Sequence, residues 1–204
     1  MVKGQPAFFA AAPTIQVHDS LAWFLGAADE GLIEYRYADA VALAGHSCPT
    51  VACAFLMTRA ALRALYADAV AERGAIAVEW RDARADGVTG VMANVAMLIT
   101  GAAGDGGFKG IGGRFRRNGL MTFGAEMDAD VRFTRLDNGA RVAVSAQPGK
   151  VPMAPEVREL MPLCLAGQAT PEQQQRFARA WQSRVRALLL EYADDPEVIA
   201  VDAC

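Results

Sequence analysis

The sequence predicts an α+β fold: a mixed, mostly antiparallel sheet packed with helices in one domain over residues 1–204. Three observations point there. "LMTFG", "ADVRFTRL" and "ARVAVSA" follow one another as strand-like runs, and Asp137-Asn138-Gly139 forms a tight turn between the last two. The stretch after Pro49 carries Val51, Phe55, Leu62 and Leu65 near the helical period. Thr170, Pro171 and Gln173 form a capping box that opens a long final helix.

The elements can be justified in order. "MVKGQPAFFAAAPT" has a short apolar block between Pro6 and Pro13 and reads as an N-terminal arm rather than a signal peptide. Asp19 or Ser20 caps a helix "LAWFLGAADE", which Gly31 would end. In "LIEYRY", Ile33, Tyr35 and Tyr37 alternate with Glu34 and Arg36, the period of a strand. Asp39 caps "AVALAG", and Gly45 stops it. "GAIAVEW" is a buried strand. "GVMANVAMLITG" has helical length but β-branched content; helix is favoured, with Gly101 as its left-handed cap. Pro148, Gly149 and Pro152 break the chain ahead of a helical extension over 153–204. In the last helix Phe177, Trp181, Val185, Leu188 and Tyr192 make one stripe, and "EVIAV" is a closing strand.

Composition removes several classes of function. The chain is 53% hydrophobic and 21% charged, ordinary for a globular protein. A net charge of -3 supplies no global positive field for nucleic acid. No apolar run approaches the roughly 18 to 20 residues that span a bilayer, so no membrane partner is expected. Cysteines at 48, 53, 164 and 204 form no CxxC pair and no disulfide framework, which fits a reducing cytoplasm. Cys53 and Cys164 read as core residues, and Cys204 as a mobile terminus.

The stretch with most chemistry is "GHSCP", residues 45–49. Proline at the first helical position makes Cys48 the N-cap. Free backbone N–H groups and the positive helix end then favour a thiolate there. Imidazole is the commonest companion of thiolate around a borderline metal, and His46 lies two residues earlier. Three readings stay open: a metal site at His46 and Cys48, a redox or nucleophilic thiol, and plain packing at a helix start.

"GHSCP" followed by an apolar helix resembles the opening motif of the FmdE family, a group of proteins named after a component of formylmethanofuran dehydrogenase. That pattern runs G-H-x-C-P, a helix, a strand, a second helix ending in Thr-Gly, and a glycine-rich turn with lysine. Here it is similar to Gly45–Pro49, the helix after Pro49, "GAIAVEW", "ANVAMLITG" and "GAAGDGGFKG", in order over a core of residues 20–145. The resemblance implies a single FmdE-like domain of α+β fold, a homodimer, and a divalent metal, usually zinc, held partly by His46 and Cys48. The chain departs from the family at the second helix and beyond, where Val91, Asn94 and Ala102 stand in place of Cys, Asp and Cys. The family's terminal zinc ribbon is also missing. His18, Asp19, Asp105 and water are the candidates for the remaining positions, which would leave the site open.

"GAAGDGGFKGIGGRFRR" holds seven glycines in residues 101–113 and three arginines after them. It is neither a phosphate-binding Walker loop nor a dinucleotide fingerprint. It reads either as a solvated hairpin or as a cationic wall for a small anionic ligand, with Phe108 and Phe115 as anchors. The candidate ligand-binding residues are Lys109, Arg114, Thr100 and Gly101, facing a metal across one pocket. An FmdE-like metal-binding protein with such a pocket is the leading expectation. The alternatives are a metal- or thiolate-dependent enzyme acting on a small anionic substrate and a structural dimer module without metal.

Overall fold

The computed structural model describes residues 4–204. Its elements run β1 (Ile15–His18), α1 (Ser20–Phe24), β2 (Leu32–Tyr35), α2 (Tyr37–Ala44), α3 (Pro49–Tyr66), β3 (Ala71–Glu72), β4 (Ile76–Trp80), α4 (Thr89–Thr100), β5 (Met121–Phe123), β6 (Val131–Arg135), β7 (Arg141–Ala146), α5 (Pro155–Leu165), α6 (Pro171–Leu190) and β8 (Ile199–Ala203). The architecture is α+β. It has two sheets where the sequence predicts one: a small one of order β2-β1-β3 and a larger one of order β5-β4-β6-β7-β8. Both are mixed, with β1/β3 and β4/β5 parallel and the other pairs antiparallel.

Helix α3 is the centre. Every side chain from Val51 to Thr58 is buried, not just one stripe, because α2, α4, α6 and the β7–β8 edge surround it. Thr58 is tolerated there because its hydroxyl donates to the carbonyl of Ala54 at 2.8 Å. One face of the larger sheet contributes Ile76, Val78, Val131 and Phe133 to the same core. On the other face Glu79 and Arg132 stand directly opposite on β4 and β6 and pair at 2.8 Å.

Several boundaries differ from the sequence reading for identifiable reasons. Asp19, not Ser20, caps α1, accepting from the N–H groups of Leu21 and Ala22 at 2.9 and 3.1 Å. The helix stops at Phe24 rather than Gly31, since Gly26 turns left-handed at φ 68°. Helix α2 starts two residues before its expected cap. Asp39 sits in the first turn and its carboxylate reaches back to the Arg36 N–H at 2.8 Å. Asp195 folds Glu197 and Val198 into a turn, which shifts the closing strand to Ile199–Ala203. Two strands have no counterpart in the sequence reading: β1, where Ile15 and Val17 alone are fully buried, and the two-residue β3. Helix α5 begins on Pro155 at its first position. The 137–139 turn, the Gly45 and Gly101 caps and the Thr170 capping box stand as expected.

A buried ion cluster ties the small sheet to α4. Asp19 is 3% exposed. Its carboxylate receives Arg73 Nη1 at 2.8 Å and Arg117 Nη2 at 2.7 Å. Arg73 in turn donates through Nε and Nη2 to the carbonyl of Leu98 in the last turn of α4, the favourable place for a cation. Burial acts to raise the Asp19 carboxyl. The hydrogen bonds from Arg73 and Ala22 and the charges of Arg117 and Arg73 outweigh it and hold the group below its ordinary value of 3.8.

A depressed carboxyl contributes stability above the unfolded value and loses it as pH falls through the folded one. The pH dependence of urea unfolding is therefore expected to show a loss below about pH 4 that Asp19→Asn reduces, the remainder coming from Glu79, Asp194 and the other carboxyls held down by arginines. At neutral pH the same substitution is expected to cost about 3–5 kcal/mol, by leaving two arginines partly unpaired.

Candidate functional site at the GHSCP turn

Gly45 ends α2 in the left-handed region (φ 75°), which frees the chain to turn toward α3. His46 then lies exposed. Its Nδ1 is 3.0 Å from the carbonyl of Ala44. A carbonyl only accepts, so Nδ1 carries the proton and Nε2 of the neutral ring keeps its lone pair. Ser47 turns inward. Its hydroxyl donates to Gln182 Oε1 at 2.9 Å and meets the Tyr37 hydroxyl at 3.0 Å. Its carbonyl accepts from Trp181 Nε1 and Gln182 Nε2, each at 3.1 Å. The C-terminal extension thus clamps the turn through α6, a contact that the motif's spacing does not reveal.

Cys48 is the N-cap, with extended backbone (φ -150°, ψ 168°) and its Sγ accepting the Val51 N–H at 3.5 Å. It is 9% exposed. Cys53 is enclosed one turn on. Burial pushes its thiol up to about 12, against the opposing charge of Arg184. All four cysteines are free.

A cavity of about 330 Å³ opens beside this turn, between the first turns of α3 and α4. Thr50 and Cys53 form one wall, Thr89 and Met92 another, and Trp80 a third. Trp80 Nε1 is buried without a hydrogen-bond partner. Asp82 and Asp130, also lining the cavity, are each paired with Arg81 at 3.0 Å.

The other candidates lie elsewhere. The His18 Nδ1 pairs with Glu72, and Gly31 packs so closely on the ring that a Cβ there would sit 2.8 Å from Nε2. Asp19 is occupied by its two arginines. Both belong to the cluster at the C-terminal end of α4, whereas the cavity marks the N-terminal ends of α3 and α4 side by side. A twelve-residue helix separates them, roughly 18 Å. Val91 and Asn94 are exposed on α4, Ala102 is buried, and Asp105 is exposed in the glycine loop. Among the described residues, no group of three or more His, Cys, Asp or Glu side chains is arranged to hold a metal ion.

The glycine loop is ordered by its own backbone. Ala103 N–H donates to Arg117 O, Arg117 N–H to Phe108 O, and Leu120 N–H to Ala103 O. Two of its glycines serve close packing: a Cβ at Gly107 would fall 2.6 Å from that of Ala103, and one at Gly110 would collide with Arg114 O. Phe115, at φ 62°, stacks on Phe24 with centroids 5.3 Å apart, while Phe108 is 43% exposed and anchors only through its backbone. Lys109 is exposed and forms no ion pair among the described residues. Thr100 and Gly101 are buried in the end of α4, where Thr100 Oγ1 donates to Ala96 O and receives the Ala102 N–H. Arg114 lines a pocket, with its guanidinium 4.8 Å over the Phe115 ring. The loop and the GHSCP turn therefore do not share one pocket.

Thiol titration of the native chain is expected to find Cys204 fast and Cys164 slower, with Cys53 reacting only after unfolding. Rapid modification of Cys53 would show that the first turn of α3 opens. No protein-family model and no curated protein matches this chain.

Proposed function

We propose that the chain is an FmdE-like protein that binds a divalent metal, zinc by ligand type, through His46 Nε2 and Cys48 Sγ. One observation carries this reading: the contact from His46 Nδ1 to Ala44 O. Metal-bound imidazoles characteristically give their second nitrogen to a carbonyl or carboxylate, which sets the tautomer and aims the ring. Cys48 suits the same role, since its sulfur sits at a helix start and no disulfide engages it.

The two side chains would supply half of a tetrahedral set. The other positions fall to water, to a small ligand, or to a second copy of the chain, for which the exposed His46 leaves room. A metal so held would act as a Lewis acid. What this chain's own residues do is narrower: Ala44 fixes the ring, Val51 holds the sulfur, and Trp181 with Gln182 keeps the turn closed. No helix among the described residues is long and apolar enough to cross a membrane.

The cavity at Thr50 and Cys53 favours a second reading, an enzyme whose small substrate sits at the first turn of α3. Thiol titration with and without chelator separates the two. A ligand sulfur is shielded until metal is removed, whereas a nucleophile reacts in either state.

Zinc titration of metal-free protein against a chromophoric chelator is expected to show a saturable site. His46→Ala and Cys48→Ser should each weaken it about tenfold or more, and gel filtration should show whether metal shifts the chain to a dimer. Unchanged zinc affinity in both variants would sink the metal reading.

A further inference from the structure

A second site lies at the far end of α4. Ser20, Glu72, Arg73, Gly74, Arg114 and Arg117 line an open pocket of about 330 Å³. Arg117 is only 7% exposed, and its guanidinium rests on the bare Gly74, where any Cβ would overlap Nη1. Nη1 donates to the carbonyl of Arg73 and Nη2 to Asp19. Its Nε is buried and has no partner. A guanidinium offers five N–H groups, and leaving one unpaired away from water is unfavourable.

The charges are unbalanced in the same direction. Three arginines meet two carboxylates. Asp19 is occupied bridging Arg73 and Arg117. Glu72 is held by His18 and by the N–H and hydroxyl of Ser20, the latter at 2.6 Å. Neither carboxylate is free to answer Arg114, which forms no ion pair among the described residues and stands at the rim over Phe115.

We propose that this pocket binds a compact oxyanion, the phosphate or carboxylate group of a small molecule, between Arg117 at its floor and Arg114 at its rim. The site is independent of the metal reading and a helix length away from it. It differs from the pocket expected around Lys109, Arg114, Thr100 and Gly101: of those four candidates only Arg114 takes part. The anion would neutralise the surplus charge between the Arg117 and Arg114 guanidinium groups. Arginine suits both oxyanion types because its planar fork matches their geometry.

The test is calorimetric titration of the full chain, in chelator and at fixed ionic strength, with inorganic phosphate and with citrate as separate arms. Saturable binding of at least one is expected. Arg114→Gln should weaken it about tenfold or more, the loss of one charge-assisted hydrogen bond, while leaving the melting temperature of the ligand-free protein unchanged. Lys109→Gln should bind as the parent does. No saturable binding in either arm would overturn the proposal. So would equal affinity in the parent and Arg114→Gln, or an equal loss in Lys109→Gln, which would indicate general screening. Binding of one arm alone would support the proposal and assign the group.

Discussion

The carboxylate of Asp19 is the interaction on which most of this architecture depends. It caps α1, and it receives Arg73 beside β3 and Arg117 at the end of the glycine loop. Through Arg73 it also reaches the last turn of α4. The small sheet, a helix end and a long loop are thus joined at one side chain with little water. Such a centre is costly to assemble and costly to break, because Asp19 and Arg117 have given up most of their hydration. The bare backbone at Gly74 is part of the same constraint, since only glycine leaves space for the Arg117 guanidinium.

Helix α4 separates two chemical environments. At its N-terminal end it lies beside the first turn of α3, near the turn that presents an exposed imidazole and a nearly enclosed sulfur. At its C-terminal end arginines outnumber the carboxylates that face them. A helix end favours cations through its unpaired carbonyls, and Arg73 on the Leu98 carbonyl follows that rule. The two environments are thus kept apart along one rigid element.

The GHSCP turn owes its shape to a segment far away in sequence. Ser47 is fixed by four hydrogen-bonding contacts, three of them to Trp181 and Gln182 on α6. A short polar turn between two helices would otherwise sample several conformations, since few of its own groups pair locally. The C-terminal helices therefore hold the candidate metal ligands in place as well as covering the core. The face of α6 that does this is the stripe read from Trp181, Val185 and Leu188.

What the sequence determined by itself was local. Cys48 as N-cap, Gly45 and Gly101 as left-handed stops, the Thr170 box and the 137–139 turn depend on backbone groups within a few residues, so residue type is enough to specify them. Strand β1 escaped because four residues carry too little periodicity, and the split into two sheets escaped because pairing partners are not written in either strand. The relative positions of the candidate side chains were decided only by tertiary structure. His18 and Asp19 group with His46 by residue type, since all are plausible ligands, yet Glu72, Arg73 and Arg117 take them at the opposite end of α4. Long-range ion pairs and helix packing choose among partners that are equivalent in sequence, and that choice is made by which charges lose their water together.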